Sequence, residues 1–573
     1  MPPTDPDTMP GHRAALPAGS LPTTYLAPQG DENREPPVNA PASVMPAPVV
    51  EWSRPLPPTT TRHAQVTMHR VARLAELTGD SITRTKLAGD TEIILVRSGD
   101  DIRAFGANCP HAGAPLEGGA VCHGRLICPW HKAQFRIDDG ALLEPPALDD
   151  LIRYPVHLEG DDVLVAERPV AVPAPAKIEG ETIAVIGSGA GGTAAVAELR
   201  RLGFDGRLLL IGAEAQCPYD RTSLSKFVMS GDMEADDAPA LREPAWFARN
   251  RVERIEVAVT CLDAAAKTVH LGDGRIIPYG KALVALGAAA GRPSLPGMAL
   301  RGAYTLRSKA DASAIVAAAA KGAHAVIMGA SFIGLEAASA LRKKGVQVTV
   351  VAPDPVPFGK QFGAEIGGMF RRLHEANGVA FRLESEVVSI RGTHAVDRVA
   401  LKGGAVLPAD LVVIGVGVAP ATDIVQGVER ADDGGIVVDA SFRAADGLYA
   451  AGDCATFPWH GKKLRIEHWR VAQQHAFIAA AAMLGGSDAY TGVPFFWTYH
   501  YGKRFEYLGH ASEWDRLFID GDPDSQTFVA LQIKDEQVAG VIACQRERIT
   551  AVLIDRLREP LPVAEAVALI RSA

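Results

Sequence analysis

Two short runs in the first third of the chain set sulfur and nitrogen side by side. Cys109-Pro110-His111 is followed, after sixteen intervening residues, by Cys128-Pro129-Trp130-His131. Each run pairs a soft thiolate with an imidazole on a tight, proline-containing loop. Two such loops could clamp a two-iron cluster, with sulfur on one iron and nitrogen on the other. A structural zinc site is the competing reading. It is disfavoured because zinc fingers carry a cysteine pair and a histidine pair on separate elements, not one of each per loop. Cys122 and His123 fall outside both loops and are read as non-ligands.

A second kind of chemistry is written in glycines. The run Ile183-Ala184-Val185-Ile186-Gly187-Ser188-Gly189-Ala190-Gly191-Gly192 leads into a helix expected from Thr193 to Arg201. Gly187 permits a tight turn, Gly189 lets the backbone approach a pyrophosphate, Gly192 allows close helix–strand packing, and the helix amino terminus attracts the anion. The next strand, Leu208-Leu209-Leu210-Ile211, ends near Glu214, about 22 residues past the last glycine, where an acid accepts ribose hydroxyls. A glycine-rich turn in an ordinary α/β domain is the alternative. The second loop, Met328-Gly329-Ala330-Ser331-Phe332-Ile333-Gly334-Leu335-Glu336, carries Ser331 at the middle position. Two dinucleotide folds in one chain point to one holding a flavin and the other a nicotinamide cofactor.

Positioning these groups requires several folding units, and 573 residues suffice for about three to five. Residues 1–61 are proline-rich without apolar periodicity and read as a disordered tail. Residues 62–167 show short β-type runs and read as a small all-β domain, followed by a proline-rich linker at 168–178. Beyond it, apolar runs alternate with alanine-rich helical stretches, the pattern of parallel sheets with crossover helices. The expected order is a first part of an FAD-binding domain (179–304), an NAD(P)-binding domain (305–423), the second part of the FAD-binding domain (424–489), and a C-terminal α+β domain (490–573). The net charge of −9 without a basic cluster argues against nucleic acid or an anionic membrane as partner. No apolar run approaches the ~18–20 residues that span a bilayer, and the amino terminus lacks the pattern of a signal or transit peptide, so a cytoplasmic location is expected.

The ligand runs, extended through Ala112-Gly113-Ala114-Pro115-Leu116, resemble the Rieske [2Fe-2S] domain, which implies Cys109, His111, Cys128 and His131 as cluster ligands. The disulfide of high-potential members is absent, with Ala114 and Trp130 at its positions. Hydroxyl donors are missing at Ala133 and Phe135. A potential toward the lower end of the roughly −150 to +300 mV Rieske span is therefore expected. From about 180 onward the chain resembles the FAD-dependent pyridine-nucleotide oxidoreductases, within them the ferredoxin-reductase and apoptosis-inducing-factor branch. The resemblance rests on Pro218-Tyr219-Asp220-Arg221 with Lys226, on Leu448-Tyr449-Ala450-Ala451-Gly452-Asp453, and on Glu467-His468-Trp469. It implies that Arg221, Lys226, Val259 and Arg292 contact FAD, Asp453 its ribityl chain, and His468, Trp469 and Trp497 the flavin surroundings. Core packing is the alternative for Trp497. Lys226 and Glu336 are expected to pair near the reacting flavin as the catalytic residues. A first-turn acid facing its own helix dipole is the alternative for Glu336.

Disulfide-reducing relatives need a cysteine pair beside the flavin, where this chain has Ser223, Ser225 and Lys226. Cys217 stands alone and reads as a structural thiol. The joint reading is an NAD(P)H:ferredoxin-type oxidoreductase in which FAD passes electrons singly to the fused cluster and on to a redox protein or an oxygenase. An NADH-responsive redox sensor is the rival. The strand Gln347-Val348-Thr349-Val350-Val351 ends at Ala352, without the acid that binds the ribose 2′-hydroxyl. Asp354 is a possible substitute, and Lys360 is placed in a loop as a poor phosphate clamp. NADH is expected to be preferred by about tenfold, with NADPH usable.

Overall fold

A computed structural model describes residues 67–572. The proline-rich tail over 1–61 lies outside them. The chain divides into two units, Met1–Met68 and His69–Ala573, and every element that carries chemistry lies in the second.

The β-rich region before the linker is built from a three-stranded sheet, ordered Met68–Arg73, Asp162–Ala166, Val156–Glu159, and two four-stranded antiparallel sheets. One four-stranded sheet is ordered Ile82–Lys86, Glu92–Ser98, Asp101–Gly106, Arg153–Tyr154, and the other Ala120–Cys122, Arg125–Ile127, Gln134–Arg136, Leu142–Glu144. The continuous apolar run within Glu92–Ser98 is buried on both faces. Ile94 and Val96 join the core beneath the ligand loops, whereas Ile93 and Leu95 join a separate cluster with Val163 and Val165. The second four-stranded sheet is made of three-residue strands, and the ligand-bearing loops sit at its margins. After the strand Asp162–Ala166 no helix or multi-residue strand occurs among the described residues until Ile183–Ile186.

Two parallel sheets follow. The first runs Val252–Ile255, Leu208–Ile211, Ile183–Ile186, Lys281–Val284, Leu448–Ala450, with Arg443–Ala445 antiparallel at the edge. The second runs Ala303–Thr305, Leu411–Ile414, His324–Met328, Gln347–Val351, Val379–Arg382. The inner strands are buried apolar runs on both faces: in the second sheet helices cover one face, while Val326 and Met328 on the other pack against Val387, Ile390 and Val399 of the antiparallel strands Val387–Arg391 and Arg398–Leu401. The crossover helices are Ala190–Arg201 and Phe332–Lys343. The first begins three residues before the expected Thr193, so Gly191 and Gly192 lie inside its opening turn. Lys360 is not in a loop but in the first turn of the helix Gly359–Ala376. The chain ends in a five-stranded antiparallel sheet, ordered Phe495–His500, Lys503–Gly509, Gln537–Cys544, Thr527–Lys534, Arg516–Asp522, with helices Glu547–Arg556 and Val563–Ser572.

The β-rich ligand region is seated on the rest of this unit by charges withdrawn from water. Lys132 is fully buried and its Nζ lies 3.0 Å from a Glu506 carboxylate oxygen. Glu506 also accepts from Thr550 Oγ1 at 2.5 Å. Arg470, itself buried, donates to the Lys132 carbonyl at 3.1 Å and to the Pro145 carbonyl at 2.7 Å, and pairs with Glu144 at 3.1 Å. Arg558 closes on the same carboxylate at 2.5 Å. A buried charge without its partner costs ~3–5 kcal/mol, so this network holds the two regions in one relative placement.

Candidate functional site

The two ligand loops close on themselves through backbone bonds. The Cys109 N–H donates to the Ala114 carbonyl at 2.8 Å and the Cys128 N–H to the Ala133 carbonyl at 2.9 Å. Left-handed backbone at Gly113 and Lys132 makes the turns possible. Both thiols are buried and within hydrogen-bonding reach of each other. The imidazoles meet through their Nδ1 atoms at 3.1 Å. No three Cys, His, Asp or Glu side chains among the described residues are grouped as a single ion would require. Thiol faces thiol and imidazole faces imidazole, a two-plus-two donor set that fits a two-iron cluster better than one tetrahedral zinc. Burial pushes the Cys128 thiol up, yet hydrogen bonds from Cys109 and the His131 and Trp130 amides, with the Lys132 charge, bring it to about 7. Both imidazoles are crowded by protein, which lowers their pKa and keeps them neutral, as ligation requires. Cys122 and His123 point into different surroundings. His123 Nδ1 is 2.6 Å from Asp555, and Cys122 packs against the C-terminal domain.

At the first glycine loop, an added Cβ on Gly187 would overlap the Ala285 carbonyl and one on Gly192 would overlap the Gly187 carbonyl. A Cβ on Gly189 would meet nothing within 4 Å. This open backbone stands at the amino end of Ala190–Arg201. The helix Trp469–Met483 packs beside it closely enough that Gly191 faces the Ala472 carbonyl. Two helix amino termini beside an open glycine form a cradle suited to a pyrophosphate. Glu214 accepts from the Tyr219 hydroxyl at 2.7 Å and pairs with Arg221. Asp453 pairs with Arg307 at 3.3 Å. His468 stands at the residue before the Trp469 helix, and its ring lies tilted against that of Phe496, with centroids 4.5 Å apart. Its Nδ1 is buried without a partner, and burial lowers the imidazole pKa to about 3. An unpartnered polar atom beside the cradle fits a bound polar cofactor. Trp469, half-buried, opens that helix. Val259 packs against the core of the first sheet. Arg292 is exposed and takes part in none of the hydrogen bonds or ion pairs among the described residues.

The second loop repeats the design. Cβ atoms on Gly329 and Gly334 would overlap the Gly415 and Gly329 carbonyls, and Ser331 immediately precedes the Phe332–Lys343 helix without a side-chain bond to it. Glu336, in the next turn, is buried and does not serve its own helix terminus. It accepts from Lys226 Nζ at 3.1 Å, Ser225 Oγ at 2.5 Å and Thr498 Oγ1 at 2.7 Å. The Lys226 ammonium sits 4.7 Å above the Trp497 ring, and that ring lies 5.4 Å from His131. Trp497 thus touches both the Lys226–Glu336 pair and the His131 imidazole of the second Cys–His loop. Asp354 pairs with Lys360 at 3.4 Å beyond the buried Ala352. Cys217 donates to the Arg242 carbonyl at 3.1 Å, and all seven cysteines are free.

Sequence reading missed Arg307, Ser225, Thr498 and Arg470. Ser225 falls within the run that ends at Lys226 and Arg470 directly follows Trp469, yet all four become partners only when the fold brings distant segments together. The one available hint was the serine pair around Lys226 at the position of the absent dithiol.

A two-plus-two cluster site, two dinucleotide loops and a buried Lys–Glu pair between them define a pyridine-nucleotide-dependent flavin oxidoreductase with its own [2Fe-2S] domain. The chain belongs to the family described as pyridine nucleotide-disulphide oxidoreductase, which it matches over residues 181–476. It also matches the Rieske [2Fe-2S] domain over 67–155 and the reductase C-terminal domain over 495–567. It is 32% identical over 488 residues to human apoptosis-inducing factor 3, covering 81% of this chain and 80% of that one. It is 33% identical over 372 residues to the ferredoxin--NAD(+) reductase component of the biphenyl dioxygenase system of Paraburkholderia xenovorans, covering 64% and 91%. The crystal structure of the ferredoxin reductase for the CYP199A2 system from Rhodopseudomonas palustris superposes with a TM-score of 0.64 at 28% identity, covering 68% of this chain and 97% of that one. The expected fold class, cofactors and reductase activity agree with these relationships. No helix among the described residues is long and apolar enough to cross a membrane.

Proposed function

We propose that this chain carries electrons from NADH, in preference to NADPH, through FAD to its own Rieske cluster and on to a separate redox protein or oxygenase component in the cytoplasm. FAD supplies the exchange between a two-electron hydride donor and one-electron acceptors, and the cluster takes one electron at a time. Cys109, Cys128, His111 and His131 would hold the cluster. Gly187, Gly189, Gly192, Glu214, Arg221, Asp453, His468 and Trp469 would hold FAD, with Val259 and Arg292 as outlying contacts. Gly329, Ser331 and Gly334 would receive the nicotinamide cofactor, and Asp354 would favour the unphosphorylated ribose. Lys226 and Glu336 would balance charge where the hydride arrives.

The observation that carries this reading is the contact order Lys226, Trp497, His131. One indole joins the hydride site to a cluster ligand, and the buried charges at Lys132 and Arg470 fix that separation. Replacing His131 with Ala tests it. The variant is expected to lose the cluster's visible spectrum, retain FAD, still be reduced by NADH, and lose most transfer to a one-electron protein acceptor. Undiminished transfer would place the electron exit at the flavin and overturn the proposed route.

A further inference from the structure

Behind Glu336 a line of buried polar side chains runs toward the protein surface. Thr498 Oγ1 lies 2.7 Å from Glu336 Oε1 and 2.9 Å from His500 Nε2. His500 Nδ1 lies 3.3 Å from His374 Nε2, and His374 Nδ1 lies 3.0 Å from the Tyr501 hydroxyl. Thr498, His500 and His374 are essentially unexposed, whereas Tyr501 is half-buried in the turn between Phe495–His500 and Lys503–Gly509, beside the exposed Gly502. The rings of Phe370 and Phe505 lie 5.3 and 5.9 Å from that of His500, so the line is sheathed in apolar surface.

The carboxylate at one end sets the direction of every hydrogen bond. A carboxylate paired with an ammonium only accepts, so the Thr498 hydroxyl must donate to it, and Thr498 Oγ1 must then accept from His500 Nε2–H. A neutral His500 is left with a bare Nδ1, which accepts from His374 Nε2–H. His374 Nδ1 in turn accepts from the Tyr501 hydroxyl. Burial lowers both histidine pKa values, His500 to about 3, so each ring keeps one N–H and one lone pair. Lys226 at the Glu336 end disfavours a second proton on the His500 ring, and at the other end burial keeps the Tyr501 phenol protonated against the opposing pull of the Arg342 charge.

We propose that Tyr501, His374, His500 and Thr498 form a proton wire between solvent at the turn after His500 and the Glu336 carboxylate. A proton accepted at the Tyr501 oxygen releases the phenol proton to His374 Nδ1. The His374 Nε2 proton passes to His500 Nδ1, the His500 Nε2 proton to Thr498 Oγ1, and the Thr498 hydroxyl proton to Glu336 Oε1. Each N–H or O–H bond broken is matched by one formed, and no electron changes place. The return of the proton reverses every link. This deepens the reading above, on which the Lys226–Glu336 pair lies where a hydride arrives. A carboxylate that can be neutralised there offsets the negative charge that accompanies flavin reduction.

The test has two arms. In the full-length protein labelled with 15N-histidine, NMR is expected to show His374 and His500 as neutral Nε2–H tautomers. Exchange of both ring protons with solvent is expected to slow at least tenfold in Tyr501→Phe. A Nδ1–H tautomer at either ring, or exchange unchanged by that substitution, overturns the wire whatever the flavin does. In the FAD-loaded protein, proton uptake after anaerobic photochemical reduction is followed with an indicator dye. It is expected to slow at least tenfold in Thr498→Val and to recover in Thr498→Ser. Equal uptake rates in wild type and Thr498→Val also overturn the wire, since a purely structural Thr498 would not single out the hydroxyl. Failure of NADH to reduce the flavin, with the tautomers as expected, would instead count against the functional reading alone.

Discussion

The two glycine loops share their first and last glycines but differ at the middle one of the three glycine positions. In both, the first and last glycines are demanded by the protein itself, because any side chain there would strike a backbone carbonyl: Ala285 and Gly187 in the first loop, Gly415 and Gly329 in the second. In both, the turn is pinned by matching backbone bonds, Gly187 N–H to the Ile211 carbonyl at 2.7 Å and Gly329 N–H to the Val351 carbonyl at 2.9 Å. The middle position is different. Gly189 faces open space, and nothing in the chain requires it to be glycine, so its lack of a side chain answers to a ligand. The second loop has Ser331 there. On the proposed assignment, a resident flavin would press against the first loop's backbone and a nicotinamide cofactor would come and go at the second, which would account for this contrast.

The contrast would break most visibly at the packing glycines. Gly192→Val should cost ~4 kcal/mol or more, since the Ala190–Arg201 helix cannot separate from its strand without opening the first sheet. Thermal unfolding of the FAD-free protein measures this, and an unchanged midpoint would mean the close approach is not required. Gly189→Val should do the reverse. The FAD-free protein should unfold within ~1 kcal/mol of wild type, while FAD affinity falls about 100-fold, equivalent to ~2.7 kcal/mol. Equilibrium binding of FAD separates the two variants. Ser331→Gly should have the smallest effect, changing the NADH KM by less than about threefold with FAD content unaltered. A tenfold change would show that the second loop is pressed against its ligand as closely as the first.

The paired Cys–His loops and the glycine skeletons were legible in the sequence because each is local: a few adjacent residues carry the whole geometric requirement. Strand and helix positions around both loops were legible for the same reason, through the strict alternation of Ile183–Ile186 with Ala190–Arg201 and of His324–Met328 with Phe332–Lys343. What stayed hidden is relational. Arg307 beside Asp453 joins positions 146 residues apart, Thr498 beside Glu336 joins positions 162 apart, and Lys132 beside Glu506 joins positions 374 apart. Nothing in the local composition of these residues sets them apart from surface charges or core hydroxyls. Lys360 was misplaced because Pro353, Pro355 and Pro357 suggest an extended loop, yet Phe358, in left-handed backbone, starts a helix immediately after them. Trp497 gained meaning only from its neighbours, since an indole in a strand packs as readily as it relays.

On the proposed function, electrons from NADH reach the fused cluster by way of the flavin within one chain. Anaerobic titration of the FAD- and cluster-loaded protein with NADH, followed by visible absorption and EPR together, tests it most directly. Flavin bleaching and the EPR signal of the reduced cluster are expected to develop in the same titration without any added carrier. A flavin fully reduced by excess NADH beside a cluster that stays oxidised would contradict it.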